Sequence, residues 1–348
     1  MKIGFYSPYF DSLSGGERYV LTLAGHWSKA HTISIFWNDP AIIDKAQERF
    51  HIDLTHVQTV PNIFQNEPFL SKIFSSSQYD LIFFLSDGSI PSSLATYTIL
   101  HFQVPFQTVS FPFWKRYKIH KIVCNSKFTK NAIDPSVGKN AEVIYPPVDI
   151  EKLHIGKKEK SILSVGRFSS FFQTKKQEIL IDVFSEGMQK GVLKGWKLKC
   201  IGGLLPSDQK YFEMLKAKTR NLPIELLANA SFDTLRDDYA KATLYWHSAG
   251  FGETNPQLME HFGITTVEAM AAGCIPLVYN AGGQPEIIDQ GKNGYLWNTK
   301  EECLEYTEKI IHSAKLQKTL QREAIVRSEA FSSSIFCQKF DRLLQDLF

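Results

Sequence analysis

Two glutamates stand eight residues apart in Glu260-His-Phe-Gly-Ile-Thr-Thr-Val-Glu268, with a glycine between them and Ala-Met-Ala-Ala-Gly273 after them. A helix starting near Thr265 places Glu268 in its first turn and Glu260 on the loop before it, so both carboxylates border one helix N-terminus. The amides of Phe262, Gly263, Ile264 and Thr265 lead into that helix. Amides at such an end, helped by the helix dipole, hold phosphate. A carboxylate suits the hydroxyls of a sugar or ribose, which donate hydrogen bonds to an acceptor-only group. On spacing alone, a capped helix carrying one solvated acid is an equal reading. Nearer the start, Ser14-Gly15-Gly16-Glu17-Arg18 lies between a strand and a helix. Gly15 and Gly16 permit close approach of the backbone to a phosphate or an acceptor oxygen, although the pattern is not the dinucleotide GxGxxG. His101 and His247 each close a strand; an isolated histidine in such a place is usually structural, and the role of His247 stays open.

Short β-branched or aromatic runs alternate with amphipathic stretches, which predicts parallel α/β architecture. Strands are expected at Lys2–Ser7, Thr32–Trp37, Leu81–Leu85, Tyr97–His101, Lys121–Asn125 and Glu142–Tyr145, with a helix from about Glu17. A second series is expected at Ser161–Val165, Lys197–Ile201, Ile224–Leu227, Thr243–Trp246 and Ile275–Tyr279. Between the series, Pro146-Pro147 and the charged segment Glu151–Lys160 read as a linker and hinge. The expected organisation is a Rossmann-like domain over 1–150, a second over 151–333, and a helix over 334–348 that carries Phe336, Phe340, Leu343, Leu344 and Leu347 on one face and crosses back to the first domain. Ligands are then expected in a cleft at the carboxyl ends of the strands.

The 348 residues suit two domains, and 43% hydrophobic with 22% charged residues provides for full cores. A net charge of +3 is far from a nucleic-acid-binding signature. Five scattered cysteines, none spaced as CxxC, argue against a disulfide framework or a zinc site. No apolar run reaches the length of a membrane span or a signal peptide, so the reading is cytoplasmic. From Gly88 to Ile133 there is no acid, while Lys115, Arg116, Lys118, Lys121, Lys127 and Lys130 fall there. The stretch Phe111–Lys121 (FPFWKRYKIHK) is read equally as a peripheral contact with an anionic membrane inner face or as a buried helix with a solvated basic side.

The paired glutamates, the following Ala-Met-Ala-x-Gly and the later Gly282-Gly283-Gln-Pro-Glu286 together resemble the fingerprint of retaining glycosyltransferases of family 4. Val165-Gly166-Arg167 with Lys175, Asn125-Ser126-Lys127-Phe128-Thr129, and Val143-Ile144-Tyr145-Pro146-Pro147-Val148-Asp149 are similar to further landmarks of that family in the same order. The resemblance implies a GT-B fold, two Rossmann-like domains facing a central cleft, acceptor on the first and donor on the second. It implies a metal-independent hexosyltransferase with no cofactor beyond a GDP- or UDP-linked nucleotide sugar as co-substrate. Glu260 would contact the donor sugar, Glu268 the ribose, Arg167 and Lys175 the diphosphate, and His101 the transferred sugar. The segment from His247 to Met259 departs from the family by its length. Glu-His-Phe-Gly-Ile and Gly-Gly-Glu-Arg resemble GDP-mannose-dependent mannosyltransferases of lipid-linked oligosaccharide synthesis, which implies mannose as the hexose and a glycan or lipid-linked acceptor. A nicotinamide oxidoreductase lacks its phosphate fingerprint here. A GT-B nucleotide-sugar epimerase and a non-catalytic sugar-binding subunit remain the alternatives.

Overall fold

A computed structural model describes residues 1–65, 68–110, 115, 117–171 and 174–348, the side chain of Phe69 excepted. The chain divides into two compact units, Met1–Pro147 with Ser333–Phe348, and Val148–Ser332. Among the described residues the first unit holds seven strands: β1 (Lys2–Tyr6), β2 (Thr32–Phe36), β3 (Val57–Val60), β4 (Leu81–Leu85), β5 (Tyr97–Phe102), β6 (Lys121–Cys124) and β7 (Glu142–Val143). They pair in parallel in the order β3-β2-β1-β4-β5-β6-β7. The second unit holds six: β8 (Glu159–Val165), β9 (Lys197–Gly202), β10 (Ile224–Ala228), β11 (Ala242–His247), β12 (Ile275–Tyr279) and β13 (Tyr295–Trp297), also parallel, in the order β10-β9-β8-β11-β12-β13.

Parallel sheets are covered on both faces, so their strands are apolar throughout. β4 shows why: Leu81, Phe83 and Leu85 join one core cluster while Ile82 and Phe84 join the one on the opposite face. Helix Gly15–Trp27 packs Tyr19, Val20, Leu23, Ala24 and Trp27 into the first of these clusters. The helix Ser333–Gln345 belongs to the same unit. It sets Phe336, Phe340, Leu343 and Leu344 into that core, and Asp341 accepts from His26 Nε2 and Trp27 Nε1 at 2.9 and 3.0 Å. Each aromatic ring so buried is worth about 1.5–3 kcal/mol.

Strand order reverses between β1 and β4 in one unit and between β8 and β11 in the other, and ligands of such sheets bind where it does so. Several boundaries differ from the sequence reading. Glu159 and Lys160, expected in the linker, are the first residues of β8, and the break between units falls at Pro147–Val148. β3 and β13 were not anticipated; Val57–Val60 is four residues with one of them buried, and Tyr295–Trp297 is three. The first helix begins at Gly15, two residues earlier than expected, because Ser14 precedes it with both its N–H and its hydroxyl donating to Glu17, at 3.0 and 2.7 Å.

Candidate active site

The second unit gathers its charged groups at the carboxyl ends of β8 and β11. After β8, the loop runs through Gly166 and Arg167 to Lys175. The stem of Lys175 passes over Gly166, where a Cβ would lie 2.6 Å from its Cγ. Arg167 is exposed, and among the described residues its guanidinium makes no hydrogen bond or ion pair. Ser248, the residue after β11, donates its hydroxyl to the carbonyls of Lys175 and Lys176, both at 2.9 Å, and fixes that turn. Lys176 sits at a φ of 53° and pairs with Glu253 at 2.7 Å. The long segment after β11 thus clasps the loop that carries Lys175.

Glu260 lies against both loops. Its Oε2 accepts from Lys175 Nζ at 2.7 Å and from His247 Nε2 at 3.2 Å. Its Oε1 has no partner among the described residues and is not shut away from solvent. Burial by itself would raise this carboxyl, but Lys175 and His247 more than offset it and hold Glu260 well below the usual carboxylate range. It is therefore an ionised acceptor with one oxygen committed to the protein and one available. The Lys175 ammonium spends one of its three donors on Glu260 and has no second partner among the described residues.

The helix expected near Thr265 spans Ile264–Ala271, preceded by Gly263 at a φ of 122°, a conformation open to glycine. Glu268 is the fifth residue of this helix, in its second turn rather than its first. Its Oε2 accepts from the hydroxyl of Tyr239 at 3.1 Å, while Tyr245 donates to Thr265 Oγ1 at 2.8 Å. Both tyrosines are fully buried, and burial pushes their hydroxyls above the ordinary tyrosine range, so they act as donors. The Gly282-Gly283 turn is stapled to the motif by the Gly283 amide, which donates to the Glu260 carbonyl at 2.8 Å. Phe262 is buried beside Phe331, with ring centroids 5.4 Å apart, so it contributes packing and an amide rather than an exposed ring.

The first unit places Gly15 and Gly16 in the opening turn of helix Gly15–Trp27. Gly16 makes room for the side chain of Gln103: a Cβ there would meet its Oε1 at 2.8 Å. His101 is fully buried, stacked on Tyr19 with centroids 4.0 Å apart. Its Nδ1 faces the Val123 carbonyl at 3.1 Å and its Nε2 faces Gln103 Nε2, also at 3.1 Å. Burial lowers its pKa to about 3, so the ring is neutral. Of the basic aromatic stretch, Phe111–Trp114 and Arg116 lie outside the described residues. No helix among the described residues is long and apolar enough to cross a membrane.

The second unit thus brings together Lys175, Glu260, His247 and the start of the glycine-led helix, with Arg167 on the same loop as Lys175. Residues 147–327, just over half of the chain, match the family Glycosyl transferases group 1. The chain belongs to that family. Among curated glycosyl transferases it is 26% identical over 247 residues to the GDP-Man:Man(3)GlcNAc(2)-PP-Dol alpha-1,2-mannosyltransferase of Dictyostelium discoideum, covering 65% of this chain and 47% of that protein. The Homo sapiens protein of the same name is 29% identical over 252 residues, covering 65% and 48%. An uncharacterised glycosyltransferase of Methanocaldococcus jannaschii is 31% identical, covering 61% and 55%. The chain spans about half the length of these curated relatives. Among solved structures, Anabaena HepE in complex with UDP superposes with a TM-score of 0.76 at 20% identity, covering 99% of this chain and 100% of that one. Sucrose-phosphate synthase from Thermosynechococcus elongatus does so at 0.72 and 15%, covering 100% and 99%. The fold of this glycosyl transferase is therefore the GT-B type, built from two Rossmann-like α/β units.

Several groups that shape the site were not singled out from the sequence: Gln103, Tyr239, Tyr245, Ser248 and Gln284. They are uncharged residues, Gln103 in the first unit and the other four in the second, each placed by the strand order of its own unit. Gln284 alone had a positional clue, as the residue directly after Gly282-Gly283.

Proposed function

We propose that this chain transfers a hexose from a nucleotide diphosphate sugar to a glycan or lipid-linked acceptor, with retention at the anomeric carbon. The observation that carries the reading is the division of labour at Glu260. Lys175 and His247 both bind Oε2, so Oε1 is left to accept from a sugar hydroxyl beside the Lys175 ammonium, which has donors to spare. Arg167, Lys175 and the amides entering helix Ile264–Ala271 suit the diphosphate, and Glu268 suits the ribose. When the bond from the anomeric carbon to phosphate breaks, negative charge collects on the departing oxygen, and fixed cations there stabilise the transition state. That oxygen takes the proton of the acceptor hydroxyl, whose oxygen bonds to the anomeric carbon on the same face. The second unit is assigned the donor and the first the acceptor. The names of the curated relatives support GDP-mannose as the first donor to try and a lipid-linked glycan as the acceptor class.

The test is a thermal-shift screen of GDP- and UDP-sugars, in which a true donor at 100 times its Kd adds about 2.7 kcal/mol of stability. Incubating the responding donor with short glycan acceptors, and reading the new linkage by proton NMR, then tests transfer and retention. Neutralisation by side chains requires that the rate survive EDTA. Inverted product, loss of activity in EDTA, or conversion of the donor without acceptor would each refute the corresponding part.

A further inference from the structure

His247 touches no substrate group in the reading above, yet it is the only side chain besides Lys175 that binds the Glu260 carboxylate among the described residues. It is 2% exposed, at the last position of β11, and its ring is held from both sides. Nε2 faces the Glu260 carboxylate at 3.2 Å, and Gln284 Nε2 faces its Nδ1 at 3.4 Å. A carboxylate only accepts, so the proton between His247 and Glu260 sits on Nε2. The bare Nδ1 then accepts from the amide of Gln284. Gln284 is fully buried, and its own Oε1 has no hydrogen-bond partner among the described residues. An orphaned buried oxygen is a standing cost to folding. What this glutamine does for the protein therefore lies at its other end, on His247.

We infer that His247 and Gln284 form a positioning pair, in which Gln284 holds His247 in its Nε2–H tautomer and His247 turns Glu260 so that Oε1 faces the donor sugar. The inference rests on the nucleotide-sugar reading for its catalytic consequence, but not for the tautomer. Gly283 anchors the Glu260 backbone from the same turn that carries Gln284, so one short segment sets both the main chain and the side chain of the acid. Among the described residues the two side chains make no hydrogen bond to Arg167, to Lys175 or to the amides of helix Ile264–Ala271; they meet Lys175 only through Glu260, and Gln284 packs against Gly263. Its loss therefore acts on the step in which the sugar is oriented, and leaves the grip on the nucleotide alone.

Two measurements on the full chain decide the matter. In ¹⁵N-histidine-labelled protein, the His247 ring, identified by its loss in His247→Gln, shows protonated Nε2 and bare Nδ1. Gln284→Met, which matches the glutamine in length, makes the ring exchange between tautomers. A His247 protonated on Nδ1, or one indifferent to Gln284→Met, overturns the inference, whether or not a donor has been found. With the donor from the thermal screen, His247→Phe and Gln284→Met lower kcat by about 10- to 100-fold, the scale seen when a group that orients a ligating side chain is removed. The Kd of GDP or UDP alone stays within about twofold, and His247→Gln, which restores a donor toward Glu260, recovers most of the rate. Gln284→Met removes the orphaned oxygen and in exchange leaves His247 Nδ1 without its donor, so its melting temperature stays close to the parent's. A variant that melts lower while turning over at the parent rate shows a purely structural role and overturns the proposal. A wild-type chain that responds to no nucleotide sugar refutes the functional reading, and the ring spectra still judge the pair.

Discussion

In the first unit, Gly16 at a helix start makes room for Gln103, whose amide faces His101, the last but one residue of β5. In the second, Gly263 at a helix start makes room for Gln284, whose amide faces His247 at the end of β11; a Cβ on Gly263 would meet Gln284 Nε2 at 2.7 Å. The same device, a glycine admitting a glutamine that fixes a buried histidine, occurs in both halves. The outcomes differ in what the other ring nitrogen meets. His101 Nδ1 donates to the Val123 carbonyl, a neutral backbone group already inside the sheet. His247 Nε2 donates to an ionised acid that keeps an oxygen free. The two rings thus carry their protons on opposite nitrogens. One histidine ring is tied to neutral backbone and the other to a charge.

The contrast is tested most severely through the charges that the second unit displays. Arg167→Ala should slow sugar transfer by about 10²–10³, the loss expected for one fixed group facing developing charge. A rate within threefold of the parent would show that the exposed guanidinium is not used.

Acid should reveal the buried neutral rings next. His101, with a pKa of about 3, and His261, buried in the second unit with a pKa of about 4, both stay neutral where the unfolded chain protonates near 6.5. The unfolded state then binds more protons, so stability falls as pH drops below 6.5 and levels off beneath each folded value. Each ring should withdraw about 1.4 kcal/mol per pH unit across its window, roughly 2 kcal/mol by pH 5. Urea melts of the parent and of His101→Phe, which keeps a ring against Tyr19, should differ in pH slope by that share. Identical slopes would refute a neutral, buried His101.

The two glycines give a smaller but sharper comparison. Gly263→Ala meets both the Gln284 amide and a positive φ, and should cost about 1–3 kcal/mol. Gly16→Ala meets only the far end of a flexible glutamine and should cost no more than about 1 kcal/mol. Equal losses in chemical denaturation would mean that backbone strain at Gly263 is not the deciding term. Smallest of all, Lys176→Ala removes a partly exposed ion pair with Glu253 and should change stability by roughly 0.2–1 kcal/mol.

The regular part of this molecule is legible in its sequence because parallel strands buried on both faces leave long apolar runs. Leu81–Leu85 and Ile275–Tyr279 emerge with the bounds expected of them. β3 and β13 stay hidden, since three or four residues at a sheet edge carry no period. The glutamate pair and the Arg167–Lys175 loop stand out through their resemblance to family landmarks, since spacing alone leaves the glutamates open to a bland reading. The pairing of Lys175 with Glu260 does not, because residues 85 apart in sequence meet only once β8 and β11 lie side by side. Gln103 and Gln284 are harder still, being ordinary polar residues whose purpose appears only when the ring each one faces is in place.

The position of helix Ser333–Gln345 bears on how the protein is made. Val148 and Ser332 form a parallel bridge, so the chain enters and leaves the second unit at neighbouring residues. That unit can complete its fold on the ribosome as a closed excursion. The first unit cannot: Phe336, Phe340, Leu343 and Leu344 fill its core, yet they are translated after every residue of the second. Its apolar face against helix Gly15–Trp27 must wait uncovered through some 185 residues of synthesis (148 to 332).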